Sequence, residues 1–160
     1  MAETRPDAEL TAPLSITEDG AALVGHIMHV DGECQCGRVA YEAEVDPERS
    51  AICNCTDCQK FSGSPWRASV PTKVEDFRLL RGALKTYVKT AESGTKRIQT
   101  FCGDCGSAVY STSVENQTLF NLRLGALRQA AELPPKRQIW MESAWPWAHD
   151  VTNVPGVPKG

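Results

Sequence analysis

Residues 32–45 read Gly-Glu-Cys-Gln-Cys-Gly-Arg-Val-Ala-Tyr-Glu-Ala-Glu-Val, and this stretch decides the fold. Its second half alternates Val39, Tyr41, Ala43 and Val45 with Ala40, Glu42 and Glu44. Period two with one polar side predicts a half-buried strand, because successive strand side chains point to opposite faces. Its first half sets Cys34 and Cys36 one residue apart, with Gly37 behind them. A tight turn of this kind can aim two sulfurs at one zinc ion about 2.3 Å away, and glycine permits the positive φ such a turn needs.

The strand pattern extends outward. Residues 107–114 open on short apolar and hydroxyl side chains suited to a strand. Residues 118–124 alternate Leu119, Asn121 and Arg123 against Phe120, Leu122 and Leu124, and residues 137–143 give another strand around Ile139 and Met141. Turn residues stand at Asp46-Pro47, Ser62-Gly63-Ser64-Pro65, Arg81-Gly82 and Ser93-Gly94. Helical windows are confined to residues 56–61 and 74–79. The expected fold is mainly β, of antiparallel sheets with short helical turns. Residues 1–29 read as an N-terminal arm or tail, residues 30–150 as the folded domain, and residues 151–160 as a C-terminal tail.

Composition narrows the function. A chain of 160 residues with 41% apolar side chains can bury a core without disulfide staples. Lys+Arg 17 against Asp+Glu 20 leaves a charge of −3, which speaks against a partner bound through its phosphates and against a chromatin role. No apolar run of about 18 residues offers a membrane span. The acidic, polar first ten residues do not resemble a secretory signal, so a reducing, cytoplasmic setting is expected.

The 7 cysteines fall as Cys34-x-Cys36, Cys53-x-Cys55-x-x-Cys58 and Cys102-x-x-Cys105. Odd parity and tight clustering point to metal ligation rather than to a disulfide framework. Spacing leaves two divisions open. Cys34, Cys36, Cys102 and Cys105 can close one tetrathiolate site while Cys53, Cys55 and Cys58 hold a second ion with one position free. Alternatively, ligands from the triple join Cys102 and Cys105, and Cys34 and Cys36 are spare. Packing of free thiols and a redox-active Cys102/Cys105 pair are weaker readings. His26, His29 and His149 read as surface or packing residues.

The ordered set resembles the glutathione-dependent formaldehyde-activating enzyme family, whose relatives include centromere protein V. The similarity runs through Gly32-Glu33-Cys34-Gln35-Cys36-Gly37-Arg38-Val39-Ala40-Tyr41, Cys53-Asn54-Cys55-Thr56-Asp57-Cys58-Gln59-Lys60 with Ser62-Gly63, and Phe101-Cys102-Gly103-Asp104-Cys105-Gly106. It closes on Gly125-Ala126-Leu127, Gln138-Ile139-Trp140 and Trp145-Pro146-Trp147, covering about residues 30–148. The resemblance implies a β-tent zinc-binding fold for the 30–150 domain. It places Cys34, Cys36, Cys102 and Cys105 on a structural zinc and Cys53, Cys55 and Cys58 on a catalytic one: two ions per chain, the second open to loss. Asn54 and Gln138 stand where the family often has histidine.

The implied chemistry is that of a carbon–sulfur lyase acting on adducts of a glutathione-like thiol with a small aldehyde such as formaldehyde. The alternative is a zinc-stabilised binding module without turnover. Lys60, Arg67, Lys96 and Arg97 are candidate holders of carboxylates, although such residues are more often solvated. Backbone N–H groups of Ser62, Gly63 and Ser64 offer an anion site, with a plain turn as the blander reading. Trp66, Trp140, Trp145 and Trp147 are expected to pack in the core before they wall a pocket.

Overall fold

The computed structural model describes residues 25–91 and 94–160. Most of the expected arm and Ser93 of the Ser93-Gly94 turn lie outside the described residues.

Two sheets form the molecule. The smaller joins β1 (Met28–Glu33), β2 (Ala40–Val45) and β5 (Phe77–Arg81) in the order β1-β2-β5, all antiparallel. The larger runs β10-β3-β4-β9-β8-β7-β6, from β3 (Ala51–Cys53), β4 (Arg67–Lys73), β6 (Leu84–Thr90), β7 (Lys96–Cys102), β8 (Ala108–Ser113), β9 (Leu119–Arg123) and β10 (Arg137–Ile139). Every pairing in it is antiparallel except β10 with β3. The fold is mostly β, with one short α-helix, α1 (Thr56–Ser62), and 3-10 turns.

The apolar half of each alternation faces the core between the sheets. Val39, Tyr41, Ala43 and Val45 from the smaller sheet meet Val70, Phe120 and Leu122 from the larger. Phe77 stands edge-on to Tyr110 and to Phe120, each 5.3 Å away, while Tyr110 and Phe120 stack at 4.0 Å. These aromatic contacts add about 0.5–1.5 kcal/mol each beyond their buried area.

Two expectations are corrected. Residues 74–79 are not a helix: a 3-10 turn (Val74–Asp76) leads straight into β5, whose Phe77 is drawn into the aromatic cluster. Residues 137–143 divide into three-residue β10 and a 3-10 turn (Met141–Ser143), because Trp140 adopts φ 59, ψ 45 and breaks the strand. Strand β1 begins at Met28 and so takes in residues read from sequence as arm.

Gly32 faces Tyr41 across the β1–β2 ladder, and the ring covers it. A Cβ at Gly32 would lie 2.0 Å from Tyr41 Cζ, and Tyr41 is only 1% exposed. Gly32→Val is therefore expected to cost at least about 3 kcal/mol by overpacking. The check is a fall of roughly 10 °C in melting temperature.

Candidate metal centres and their surroundings

The structure gathers the seven sulfurs into two groups of four and three. Cys34, Cys36, Cys102 and Cys105 lie within 4.8 Å of one another, and so, separately, do Cys53, Cys55 and Cys58. No pair is a disulfide. The division that sends the triple to Cys102 and Cys105 finds no counterpart in these two groups.

Local structure aims each sulfur. Cys34 and Cys36 lie in the turn between β1 and β2, Cys102 ends β7 and Cys105 lies in the turn that follows it, so the first group joins the two sheets. The Val39 N–H donates to Cys34 Sγ at 3.2 Å, and the Gly106 N–H donates to the Cys102 carbonyl at 2.9 Å. Gly37 and Gly106 take φ 74 and φ 75, which turns the chain back around the sulfurs. The Ser107 hydroxyl, 3.2 Å from Cys105 Sγ, pulls that thiol down to about 5.

The second group sits where β3 passes into α1. Cys53 ends the strand, and Cys55 caps the helix, its Sγ accepting the Cys58 N–H at 3.4 Å. A hydrogen bond from Cys53 pulls the Cys58 thiol down to about 5 against its burial, with help from the cations Arg67 and Arg123. Its partner Cys53 is pushed up, first by that hydrogen bond and then by burial. One thiolate is thus already favoured inside the group.

Both donor sets suit zinc. Sulfurs 2.3 Å from a common tetrahedral centre stand about 3.8 Å apart. Cys34–Cys36 and Cys36–Cys102 are separated by 3.5 and 3.8 Å, far beyond the S–S bond of a disulfide. In the triple, no fourth Cys, His, Asp or Glu among the described residues joins the three sulfurs. That leaves a place for an outside ligand.

Residues 138–143 brace the triple. Asn54 is 1% exposed; its Nδ2 donates to the Ile139 carbonyl at 3.1 Å, and its backbone N–H donates to the same oxygen. Gln59 Nε2 donates to the Asn54 carbonyl at 2.8 Å and to the Ser143 carbonyl at 2.9 Å. Gln138, by contrast, is exposed. Gln59→Leu leaves the buried Asn54 carbonyl and the half-buried Ser143 carbonyl without this partner and is expected to cost about 1–3 kcal/mol. It should appear as a lower urea midpoint at unchanged slope.

Helix α1 lies over the polar face of the larger sheet. Its Asp57 pairs with Lys89, and Phe61 meets the Tyr87 ring at 6.0 Å. Arg67, opposite Cys53 in register, places its guanidinium 5.5 Å above the Phe61 ring. Arg123, opposite Ser69, shares that face. Arg67 Nη1 and Arg123 Nη2 both donate to Gln99 Oε1, at 3.1 and 3.2 Å. Burial, then the adjoining Arg67, push the Arg123 guanidinium down to about 9, so it stays cationic at neutral pH. Arg67 and Arg123, with Arg128, Phe61 and Trp66, line a cavity of about 660 Å³.

The remaining sequence candidates fall elsewhere. Lys60 and Lys96 are exposed, and Arg97 is half-buried. Residues 62–64 are a helix end: Gly63 takes φ 61 as the C-cap, and the Ser62 hydroxyl donates to the Cys58 carbonyl at 2.8 Å. The tryptophans are not core residues. Trp140, Trp145 and Trp147 are 55%, 41% and 61% exposed, because the segment after β10 lies on the surface. His26 and His149 are exposed. His29 is exposed too, and its hydrogen bond to Glu44 raises its pKa. Arg123 and Gln99 were not singled out from sequence. For Arg123 the signal was present, since a charged residue alternates there with a strand's core side.

Comparison with known proteins agrees with this arrangement. No curated protein matches the chain. A crystal structure of a Rhodobacter sphaeroides protein, solved as a structural-genomics target, is similar in fold at a TM-score of 0.54 and 21% identity, covering 68% of this chain and 98% of that one. The model of the glutathione-dependent formaldehyde-activating enzyme family matches residues 29–143, which span both cysteine groups, and the chain belongs to that family.

Proposed function

We propose that the chain is a zinc-dependent carbon–sulfur lyase that makes or cleaves the adduct of a glutathione-like thiol with a small aldehyde such as formaldehyde. In this reading Cys34, Cys36, Cys102 and Cys105 hold a structural zinc and Cys53, Cys55 and Cys58 a catalytic one. The two sheets joined by the first group then form the β-tent that the resemblance implies, spanning a zinc domain at residues 30–150. The observation that carries the proposal is the triple itself, three sulfurs within 4.8 Å that no fourth Cys, His, Asp or Glu joins among the described residues, beside a separate set of four. Structural zinc sites are closed, whereas catalytic ones keep a position open.

Zinc in such a site supplies Lewis acidity and lowers the pKa of a coordinated thiol. The residues do the rest. Cys55 caps α1 and thereby orients Cys58, while Asn54 and Gln59 fix the strand-to-helix passage so that the sulfurs are held before a ligand arrives. In the forward direction the substrate sulfur forms a bond to the aldehyde carbon as the carbonyl π bond breaks. The oxygen takes up the proton the thiol has given, leaving an S-hydroxymethyl adduct. Cleavage is the reverse, with no oxidant or reductant. The setting we infer is cytoplasmic; no helix among the described residues is long and apolar enough to cross a membrane.

Adduct formation and cleavage measured over a panel of thiols and aldehydes tests this, with Cys55→Ala as the control. Turnover that disappears in the variant supports it. Turnover untouched by the change, or none with any pair in zinc-replete protein, leaves a zinc-stabilised binding module as the better description.

A further inference from the structure

Arg67, half-buried, and Arg123, buried, are two neighbouring cations without an acidic partner. Arg123 is only 7% exposed, and among the described residues neither forms an ion pair with Asp or Glu. Their side chains converge on one neutral amide oxygen, Gln99 Oε1, and the Nε of each is buried with no partner. Taking like charges out of water this way is costly unless an anion answers them. Lys89, farther along the same face, is answered by Asp57. Arg67 stands opposite Cys53 in the β3–β4 register, which sets the pair beside the triple.

Charge counting makes the arrangement specific. Three thiolates around a divalent cation carry a net charge of −1, and the two guanidinium groups exceed it by one positive charge. A neutral fourth ligand leaves that excess in place, whereas a thiolate cancels it. We infer that Arg67 and Arg123 are the built-in counter-charge for an incoming thiolate at the Cys53/Cys55/Cys58 site, favouring an anionic fourth ligand over water or a neutral thiol. They act through the field at the site and are positioning residues. Both also line the cavity, whose wall includes Cys34 and none of Cys53, Cys55 and Cys58, so their effect on the triple is through the field and not through contact with a ligand in that cavity. The inference rests on the proposed thiol chemistry and deepens it: the pair recognises the sulfur's charge, not the rest of the molecule.

The test is a titration of cobalt(II)-loaded protein at pH 7 with glutathione and, separately, with 2-mercaptoethanol, which has no carboxylate. The readout is the thiolate-to-cobalt absorption. Arg123→Met replaces the buried cation with an apolar chain. Gln99→Glu keeps both arginines and gives them an internal anion. Each is expected to weaken both thiols by about 10- to 100-fold, the scale of one partly screened charge interaction. Arg123→Lys should recover much of the affinity. Persistent absorption from cobalt at the four-cysteine group shows that each variant is folded. A purely structural role for the pair would shift melting temperature and leave the thiol midpoints in place, which overturns the inference. Weakening confined to glutathione also overturns it, by assigning the arginines to a carboxylate. If wild-type protein binds neither thiol, the proposed function fails together with it; if wild type binds and the variants match it, only this inference fails.

Discussion

Cys102→Ser is expected to abolish cooperative thermal unfolding. Cys102 is fully buried at the end of β7, where its sulfur lies 3.8 Å from Cys36 Sγ. Serine is close to cysteine in size, so loss of packing does not account for a large effect; loss of a thiolate ligand does. A structural zinc contributes on the order of 10 kcal/mol or more of apparent binding free energy, comparable with the whole stability of a typical domain. The other links between these two turns are slight. The Arg38–Asp104 ion pair at 3.0 Å is exposed, and pairs of that kind contribute about 0–1 kcal/mol. The Gln35 N–H to Ser107 Oγ hydrogen bond adds about as much. Circular dichroism melts and zinc content check the prediction, and a zinc chelator acting on wild type should reproduce the variant. A sharp melt close to that of wild type would show that the four sulfurs are not what joins the sheets.

Cys58→Ser should do the reverse, losing activity on the order of 10³-fold while the fold survives. The estimate follows from removing a metal-based contribution of several kcal/mol to the transition state. The fold survives because α1 keeps its other supports: the Gln59 hydrogen bonds, the Asp57–Lys89 pair and the Phe61–Tyr87 contact. Metal analysis should show one zinc lost and one retained, and the melting temperature should stay within a few degrees. Activity within tenfold of wild type would remove the triple from the chemistry.

These contrasting expectations reflect what could be read in the residues. The strands at 40–45 and 119–123 were legible because their side chains alternate between a core side and an outer side, and the one at 108–113 because its short apolar and hydroxyl residues suit a strand. Strands β6 and β7 were not, since most β6 side chains are exposed and its apolar residues mark no face. Residues 74–79 failed for another reason. Phe77 is claimed by an aromatic cluster assembled from both sheets, and local propensity gives way to that packing. The two cysteine groupings were legible from spacing and resemblance together; spacing alone kept a second division open. What lay beyond the sequence was the support around the sulfurs. That Asn54 and Gln59 reach the carbonyls of residues 139 and 143, and that Arg67 and Arg123 share one glutamine, depends on pairings between residues 24 to 85 positions apart.

The parallel strand β10 sets an order of events during synthesis. The triple is complete in sequence by Cys58, yet its backbone brace comes from residues 137–143, near the end of the chain. The four-cysteine group is complete by Cys105, and its supporting Gly106 and Ser107 follow at once. On a ribosome the two sheets can therefore be joined while β10 is still unmade, and the three-cysteine group receives its brace last. A nascent chain halted before residue 137 would carry a sheet with β3 as an open edge and a strand-to-helix passage without its contacts to residues 139 and 143.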